Sequence, residues 1–453
     1  MTVISSGYRK LRRSIAKSPL IPQKSFEYHN VETGFDGASF SGAVFNLSTT
    51  IVGAGIMALP ATVNQLGLIP GLVMIIFGAM LTESSIDLIL RFGRASKSTT
   101  YSGIVADAFG GPSRTLLQIC IVVNNFGMLV VYMIIVGDVL AGTWSNGVHH
   151  TGVFGEWFGQ NRLTTRFSVL LLTTLLVVGP LISFKRVDSL RYTSALSVAL
   201  AVVFVAITAG IAIVKIIEGS IGMPPLMPRL TDQASFWKLF TTVPIIVTAY
   251  ICHHNVHPIE SELKDATQMK SIVRTSLTLC SSVYVATSFF GVLLFGDQTL
   301  DDVLGNFDGD LGIPYSSILN DLVRVSYGVH LMLVFPIVFF SLRLNLGGLL
   351  FPYSLPIAYD NRRFFLVTAA LMGSIFVGAI FVPNIWDAFQ FTGATAAVSV
   401  GFIFPAAVAL RDSHGIARKN DKLSSWLMIL LAVSSSTVAI CSDIYGILSG
   451  VGS

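Results

Sequence analysis

The sequence predicts an all-α membrane protein with eleven transmembrane helices. Ten of them form two inverted five-helix halves, in which helices 1 and 6 are discontinuous. Three observations carry the prediction. The 453 residues are 53% hydrophobic and 12% charged, with a mean hydropathy of +0.71, whereas soluble domains hold roughly a quarter charged residues. Basic residues are dense in every second loop between apolar runs. Two apolar segments are interrupted at matching places in the two halves.

Crossing about 30 Å of hydrocarbon takes roughly 20 apolar residues. Such runs fall at 39 to 64, 68 to 91, 114 to 143, 166 to 184, 189 to 217, 237 to 259, 271 to 296, 317 to 343, 363 to 383, 385 to 410 and 424 to 448. The spanning domain is then 39–448, with repeat one at 39–217, repeat two at 237–410 and an extra helix at 424–448. Residues 1–38 are polar and lack the apolar core of a cleaved signal peptide. They are expected to form a disordered basic tail able to meet anionic lipid.

Loops rich in Lys and Arg stay in the cytosol. The tail carries Arg9, Lys10, Arg12, Arg13, Lys17 and Lys24, and alternate loops after it hold three or four bases each. The opposite side has Arg162, Arg166, Lys215, Arg229 and Lys238, and its segment 296–314 has five Asp and no base. The N-terminus is therefore expected in the cytosol and the C-terminus in a lumen or outside the cell. The net charge of +4 is a topology signal and calls for no nucleic-acid partner. Cys120, Cys252, Cys280 and Cys441 all fall in expected spans without CxxC spacing, which predicts free thiols. The sequon at Asn46 is buried in the first span.

The first interruption lies in Thr49-Thr-Ile-Val-Gly-Ala-Gly-Ile-Met-Ala-Leu-Pro60, where Gly53, Gly55 and Pro60 are expected to break the helix. An unpaired peptide group in hydrocarbon costs several kcal/mol, so a broken helix survives only where protein or a watery cavity surrounds it. The second interruption is Pro244 to Pro258, with His253, His254, Asn255 and His257. Both spans open with Ser-Phe, and both are expected to break just before a proline, Pro60 and Pro258. Discontinuous segments at corresponding positions point to an inverted-repeat transporter with its site at the midplane. Five spans separate them, and an odd number forces the two halves into opposite orientations.

At the first break the amides of Gly53, Ala54, Gly55 and Ile56 face the positive end of the following half-helix, about half a charge, which suits a carboxylate. Carbonyls before Gly53, and others near Cys252, suit an ammonium or small cation, so together the breaks fit a zwitterion. The histidines have three readings. His253 and His257 with Glu260 have the i, i+4 spacing of a metal pair, but Pro258 interrupts their helix. They can be satisfied by neighbouring carbonyls, or take part in substrate binding or proton movement. Asn124, Asn125, His330 and Thr392 to Thr395 are cavity candidates, with close helix packing as the competing explanation for the Gly-Ala-Thr run. Glu83, Asp87, Asp138 and Asp321 are expected as interfacial partners of Arg91 or Arg324. No ring of repeated filter residues suggests a channel, and no cofactor is expected.

At GAGIMALP and CHHNVHPIESEL the chain resembles the amino acid/auxin permease family, close to plant vacuolar-type amino acid transporters and, more distantly, animal sodium-coupled neutral amino acid transporters. NNFGMLVVYMIIVGDVL, VFPIVFFSLR and FQFTGATAAVSVGFIFP support this from Ser39 to about Leu448. The resemblance implies a LeuT-like fold and coupled, alternating-access movement of neutral amino acids, with acidic ones a further class. It implies the vacuolar membrane, with the plasma membrane and endoplasmic reticulum as alternatives. The Asn and Thr of sodium-coupled relatives correspond to Thr49 and Val334, and valine offers no side-chain ligand. Proton coupling or facilitation is therefore preferred over sodium, although backbone near Val52 with Ser326 could still hold a cation; His330 or His254 would titrate. The substrate would meet Gly53, Ala54, Gly55, Ile56, Asn125, Cys252, His254, Asn255 and Thr392. A membrane metalloenzyme built on the histidines and an amino acid sensor are the rival readings.

Overall fold

The computed structural model describes residues 37–145, 148–230, 233–381 and 393–449. The basic tail before Gly37, and Thr392 among the expected site residues, lie outside them. Among the described residues, eight helices are long and apolar enough to cross a membrane, or nine when one bent pair counts as a single span. Two shorter apolar helices, Arg166–Ile182 and Thr395–Arg411, occupy the positions of the expected fourth and tenth spans.

The bent pair opens the fold. Helix α1 (Phe40–Ile51) starts at Ser39, whose hydroxyl accepts from the Gly42 amide at 3.2 Å, the usual way a serine satisfies one orphan amide of a first turn. It stops at Val52, and α2 (Gly55–Leu66) continues after a bend of 56°. Pro60 does not mark the break. It is the sixth residue of α2, and Pro258 is likewise the sixth of its own half-helix. The interruptions are set earlier, at Val52 to Ala54 and at Ile251 to Cys252. A helical proline instead frees the carbonyl four residues before it. For Pro258 that carbonyl is His254 O, which accepts from Ser341 Oγ at 3.3 Å.

After α2 the chain reverses at Gly67, φ +80°, where a Cβ would lie 2.4 Å from the Met227 carbonyl carbon. It continues as α3 (Leu68–Ser96), the short α4 (Tyr101–Phe109) and α5 (Gly111–Ala141). A two-stranded hairpin, β1 (Gly142–Ser145) with β2 (Val148–Thr151), and α6 (Val153–Phe158) lead into α7 (Arg166–Ile182), which contains a π-helical turn at Thr174–Val178. Then come α8 (Arg191–Ile217), α9 (Gln233–Tyr250), α10 (His253–Glu262), α11 (Met269–Phe295), α12 (Ser316–Leu350), α13 (Asn361–Phe381), α14 (Thr395–Arg411) and α15 (Lys419–Ser449). The second interruption is milder than the first: Leu239 to Glu262 counts as one membrane-length segment.

Burial separates core from rim. In α12, 83% of the most apolar stretch is buried, against 28% in α15 and 33% in α13, so α12 is central and the other two face lipid. The expected interfacial acids are all paired, though not always as expected. Asp87 holds Arg91 at 2.8 Å, and Glu83 holds Arg274 at 3.1 Å. Asp138 pairs with Arg166, and Asp321 accepts from the Trp157 indole at 2.9 Å. Arg324 takes Glu156 and Asp308 instead, at 3.2 and 3.4 Å.

On the face rich in aspartate, a 3₁₀ turn at Val303–Asp308 tucks Phe307 between Phe204 and Phe295, with ring centroids 6.2 and 5.2 Å away. Asp302 caps this turn by accepting from the Leu304 amide at 2.9 Å. Burial pushes the Asp302 carboxyl up to about 6; the Leu304 amide opposes the shift, and Asp138 and Asp301 add to it. A carboxyl raised above its ordinary 3.8 in the docked state stabilises docking at low pH, and the contribution is lost as pH rises through about 6. Hydrogen exchange at Leu304 and Phe307, corrected for intrinsic rate, is therefore expected to be faster at about pH 7.5 than at pH 5. Asp302→Asn should remove that difference.

Candidate functional site

Where α1 stops, peptide groups lose their helical partners, and the carbonyls of Ile51 to Gly53 and the Ala54 backbone find replacements from other spans. Ile51 O lies 2.6 Å from the Tyr284 hydroxyl of α11, and Val52 O lies 3.1 Å from His330 Nε2 of α12. Gly53 O accepts from the Tyr327 hydroxyl at 2.8 Å, and the Tyr132 hydroxyl of α5 is hydrogen-bonded to the Ala54 backbone. All of this is buried, with Val52 1% and Ala54 2% exposed. The Ile56 amide turns back to Gly53 O at 3.3 Å, so of the four amides expected to meet a carboxylate this one is engaged within the break.

The two glycines of the break do different work. A Cβ on Gly55 would lie 2.7 Å from Ala249 Cα, so this glycine lets α2 press against the backbone of α9. A Cβ on Gly53 would lie 2.1 Å from the Tyr132 hydroxyl, the tip of a side chain. Helix α11 runs beside α1 as a ladder of donors. Ser276 Oγ reaches Val44 O at 3.1 Å, Cys280 Sγ reaches Ser48 O at 3.6 Å, and Tyr284 ends the ladder at the break.

Of the four residues expected to serve a coupling ion, the structure brings two together, Val52 and His330. Thr49 Oγ1 donates to Ser194 O at 2.9 Å, and Ser326 Oγ to Val323 O of its own helix at 3.0 Å. His330 is completely buried, and its Nδ1 lies 2.8 Å from Ser197 O and 2.9 Å from Ser197 Oγ. A neutral ring donates from Nε2 to Val52 O and accepts the Ser197 hydroxyl at Nδ1; a protonated ring donates from Nδ1 to Ser197 O. Both protonation states find a full set of partners.

The second interruption is tied to the first through Asn255. Its Nδ2 donates to Thr50 Oγ1 at 3.1 Å and Ile337 O at 3.3 Å, while its Oδ1 has no partner. Both ring nitrogens of buried His254 are unpartnered. Cys252 is buried at the head of α10. Asn125 accepts from Asn124 Nδ2 at 3.1 Å and keeps its own Nδ2 open. It lies seven residues before Tyr132, so the two share one face of α5. His253 Nε2 sits 3.0 Å from Ser85 Oγ, which donates to Gly401 O at 2.5 Å. The proposed metal set does not assemble: among the described residues no three His, Cys, Asp or Glu side chains are placed to hold one ion.

Residues 36–446 match the family of transmembrane amino acid transporter proteins. The chain belongs to that family. It is 58% identical to the amino acid transporter AVT6A of Arabidopsis thaliana over 95% of this chain and 93% of the relative. It is 27% identical to the putative sodium-coupled neutral amino acid transporter 11 of Danio rerio, over 87% of this chain and 84% of the relative. A manganese transporter from Eremococcus coleocola superposes with a TM-score of 0.60 at 11% identity, covering 94% of this chain and 90% of the other. That likeness concerns the fold alone, which is LeuT-like.

Within this transporter family member, sequence reasoning missed Tyr132, Tyr284 and Tyr327. The signal was available, since a tyrosine in mid-span must bring its hydroxyl to a partner. The two glycines yield a paired expectation. Gly55→Ala meets backbone and should lower the melting temperature in detergent more than Gly53→Ala. Tyr132→Phe should restore part of the loss in Gly53→Ala and none in Gly55→Ala, as double-mutant melting curves will show.

Proposed function

We propose that this protein is a secondary active transporter that moves neutral amino acids by alternating access and couples them to protons. The observation that carries the reading is the contact between His330 Nε2 and Val52 O. A ring able to hold or release a proton grips a carbonyl of the very break that would bind substrate. Sodium is less favoured: position 334 is valine, which offers no side-chain ligand, and the hydroxyls of Thr49 and Ser326 donate to Ser194 O and Val323 O.

On this reading the amides at the head of α2 hold the α-carboxylate. Carbonyls of Ile51 and of the end of α9 receive the α-amino group. Asn125, His254 and Asn255 face the substrate side chain, beside Cys252. The eleven-span arrangement with two inverted halves is supported by the matched prolines of α2 and α10. Substrate on the basic face would be released by parting a seam in which the Ala38 amide donates to Glu262 O at 2.7 Å. The Glu262 carboxylate strengthens this seam by accepting from the amides of Val187 and Asp188 at 3.0 and 2.7 Å. The one-sided basic loops support a cytosolic position for that face, and the resemblance to plant vacuolar-type amino acid transporters supports a vacuolar membrane.

Reconstituted in liposomes, the protein should accumulate labelled L-alanine or L-glutamine under an imposed pH gradient and gain nothing from a sodium gradient. His330→Gln should retain exchange of substrate across the membrane and lose the response to pH, about tenfold in gradient-driven uptake. Uptake that follows sodium and ignores pH would overturn the proposal.

A further inference from the structure

The Tyr284 hydroxyl has two acceptors and one proton. It lies 2.6 Å from Ile51 O and 2.7 Å from Ala249 O. Both carbonyls belong to the last turn of their helix, α1 and α9, beyond the reach of a donor in that helix. The negative ends of both half-helices, about half a charge each, thus converge on one phenol. A hydroxyl can donate to only one of the two oxygens at a time, so the other faces lone pairs at close range. A group with several N–H bonds and a positive charge would satisfy both.

The surroundings are arranged for such a group. Tyr284 is completely buried and its ring is braced edge-on against Tyr250, with centroids 5.1 Å apart. One turn further along α11, the hydroxyls of Thr287 and Ser288 are buried and have no hydrogen-bond partner. The other rings at the break each serve one peptide group of the α1–α2 break. Among these four rings, Tyr284 alone bonds to carbonyls of both interrupted segments.

We infer that Tyr284 occupies the place of the substrate's ammonium group in the empty carrier and yields it when an amino acid binds. This rests on the transport reading above. In the empty state its single proton keeps the two carbonyls from being wholly unpaired in hydrocarbon. In the loaded state two N–H bonds of the ammonium take one carbonyl each, and the hydroxyl turns aside. Tyr284 is thus a positioning residue that sets both affinity and the ease with which the empty carrier reorients.

The test uses the full-length protein in liposomes with labelled L-alanine, L-glutamine and L-aspartate as probes. Tyr284→Phe keeps the ring and removes the competing donor. KM should fall about fivefold, because the empty state alone is penalised for two unpaired acceptors. Net uptake should fall about tenfold while exchange, which bypasses the empty carrier, keeps most of its rate. Net uptake and exchange falling in parallel at unchanged KM would overturn the inference by showing a merely structural tyrosine. A second measurement needs no variant. N-methyl-alanine, with two N–H bonds, should compete with L-alanine, and N,N,N-trimethyl-alanine, with none, should not. Equal competition by both would also overturn it. Wild-type protein that moves none of the three probes would reject the transport reading itself and this inference with it.

Discussion

A peptide group in hydrocarbon has no water to turn to, and much of this structure follows from that constraint acting on Ile51 to Ala54. The Gly-Ala-Gly sequence releases the helix, and four rings from three other spans take over its hydrogen bonds. Those rings sit on α5, α11 and α12, and of these three α12 has the most buried apolar stretch. The break is therefore a tightly partnered junction. Any solute that binds there must exchange one set of hydrogen bonds for another, and such an exchange is how binding can be tied to a change of conformation.

The same rule governs a second region. At the start of α14, π-helical turns at Gly393–Ala397, which begins just before it, and Ser399–Ile403 disturb the regular bonding. The carbonyls of Val400 and Gly401 accept from Tyr101 at 2.8 Å and Ser85 at 2.5 Å. Ser85 in turn meets His253, which heads the second half-helix. The histidine expected as a metal ligand or proton site is thus part of a joint between α3, α10 and α14. His330, read at first as one cavity candidate among several, joins α8 and α12 to the break itself.

Much of the fold was legible because bilayer thickness imposes a length on apolar runs and because glycine placement reveals where a helix gives way. The site was legible in outline. Gly53 and Gly55 were seen, while the prolines were given a role they do not have, since a proline inside a helix frees one carbonyl without ending the helix. Tyr132, Tyr284 and Tyr327 escaped notice because tyrosine counts with the apolar residues in a hydropathy profile, and its hydroxyl matters only once the facing carbonyl is known. Thr49 and Ser326 went the other way. Their hydroxyls suggested an ion site, and their actual acceptors, Ser194 O and Val323 O, depend on rotamers and neighbours that no spacing encodes.

The central claim is that unfinished helix ends, rather than side chains alone, read the charged groups of an amino acid. The most direct measurement is the backbone amide ¹⁵N shift of Gly53 and Gly55 in labelled protein during titration with L-alanine, with binding followed in parallel by calorimetry. A saturable shift at both glycines, at the same midpoint as the heat, is the predicted result. Heat of binding with both resonances unmoved would contradict it.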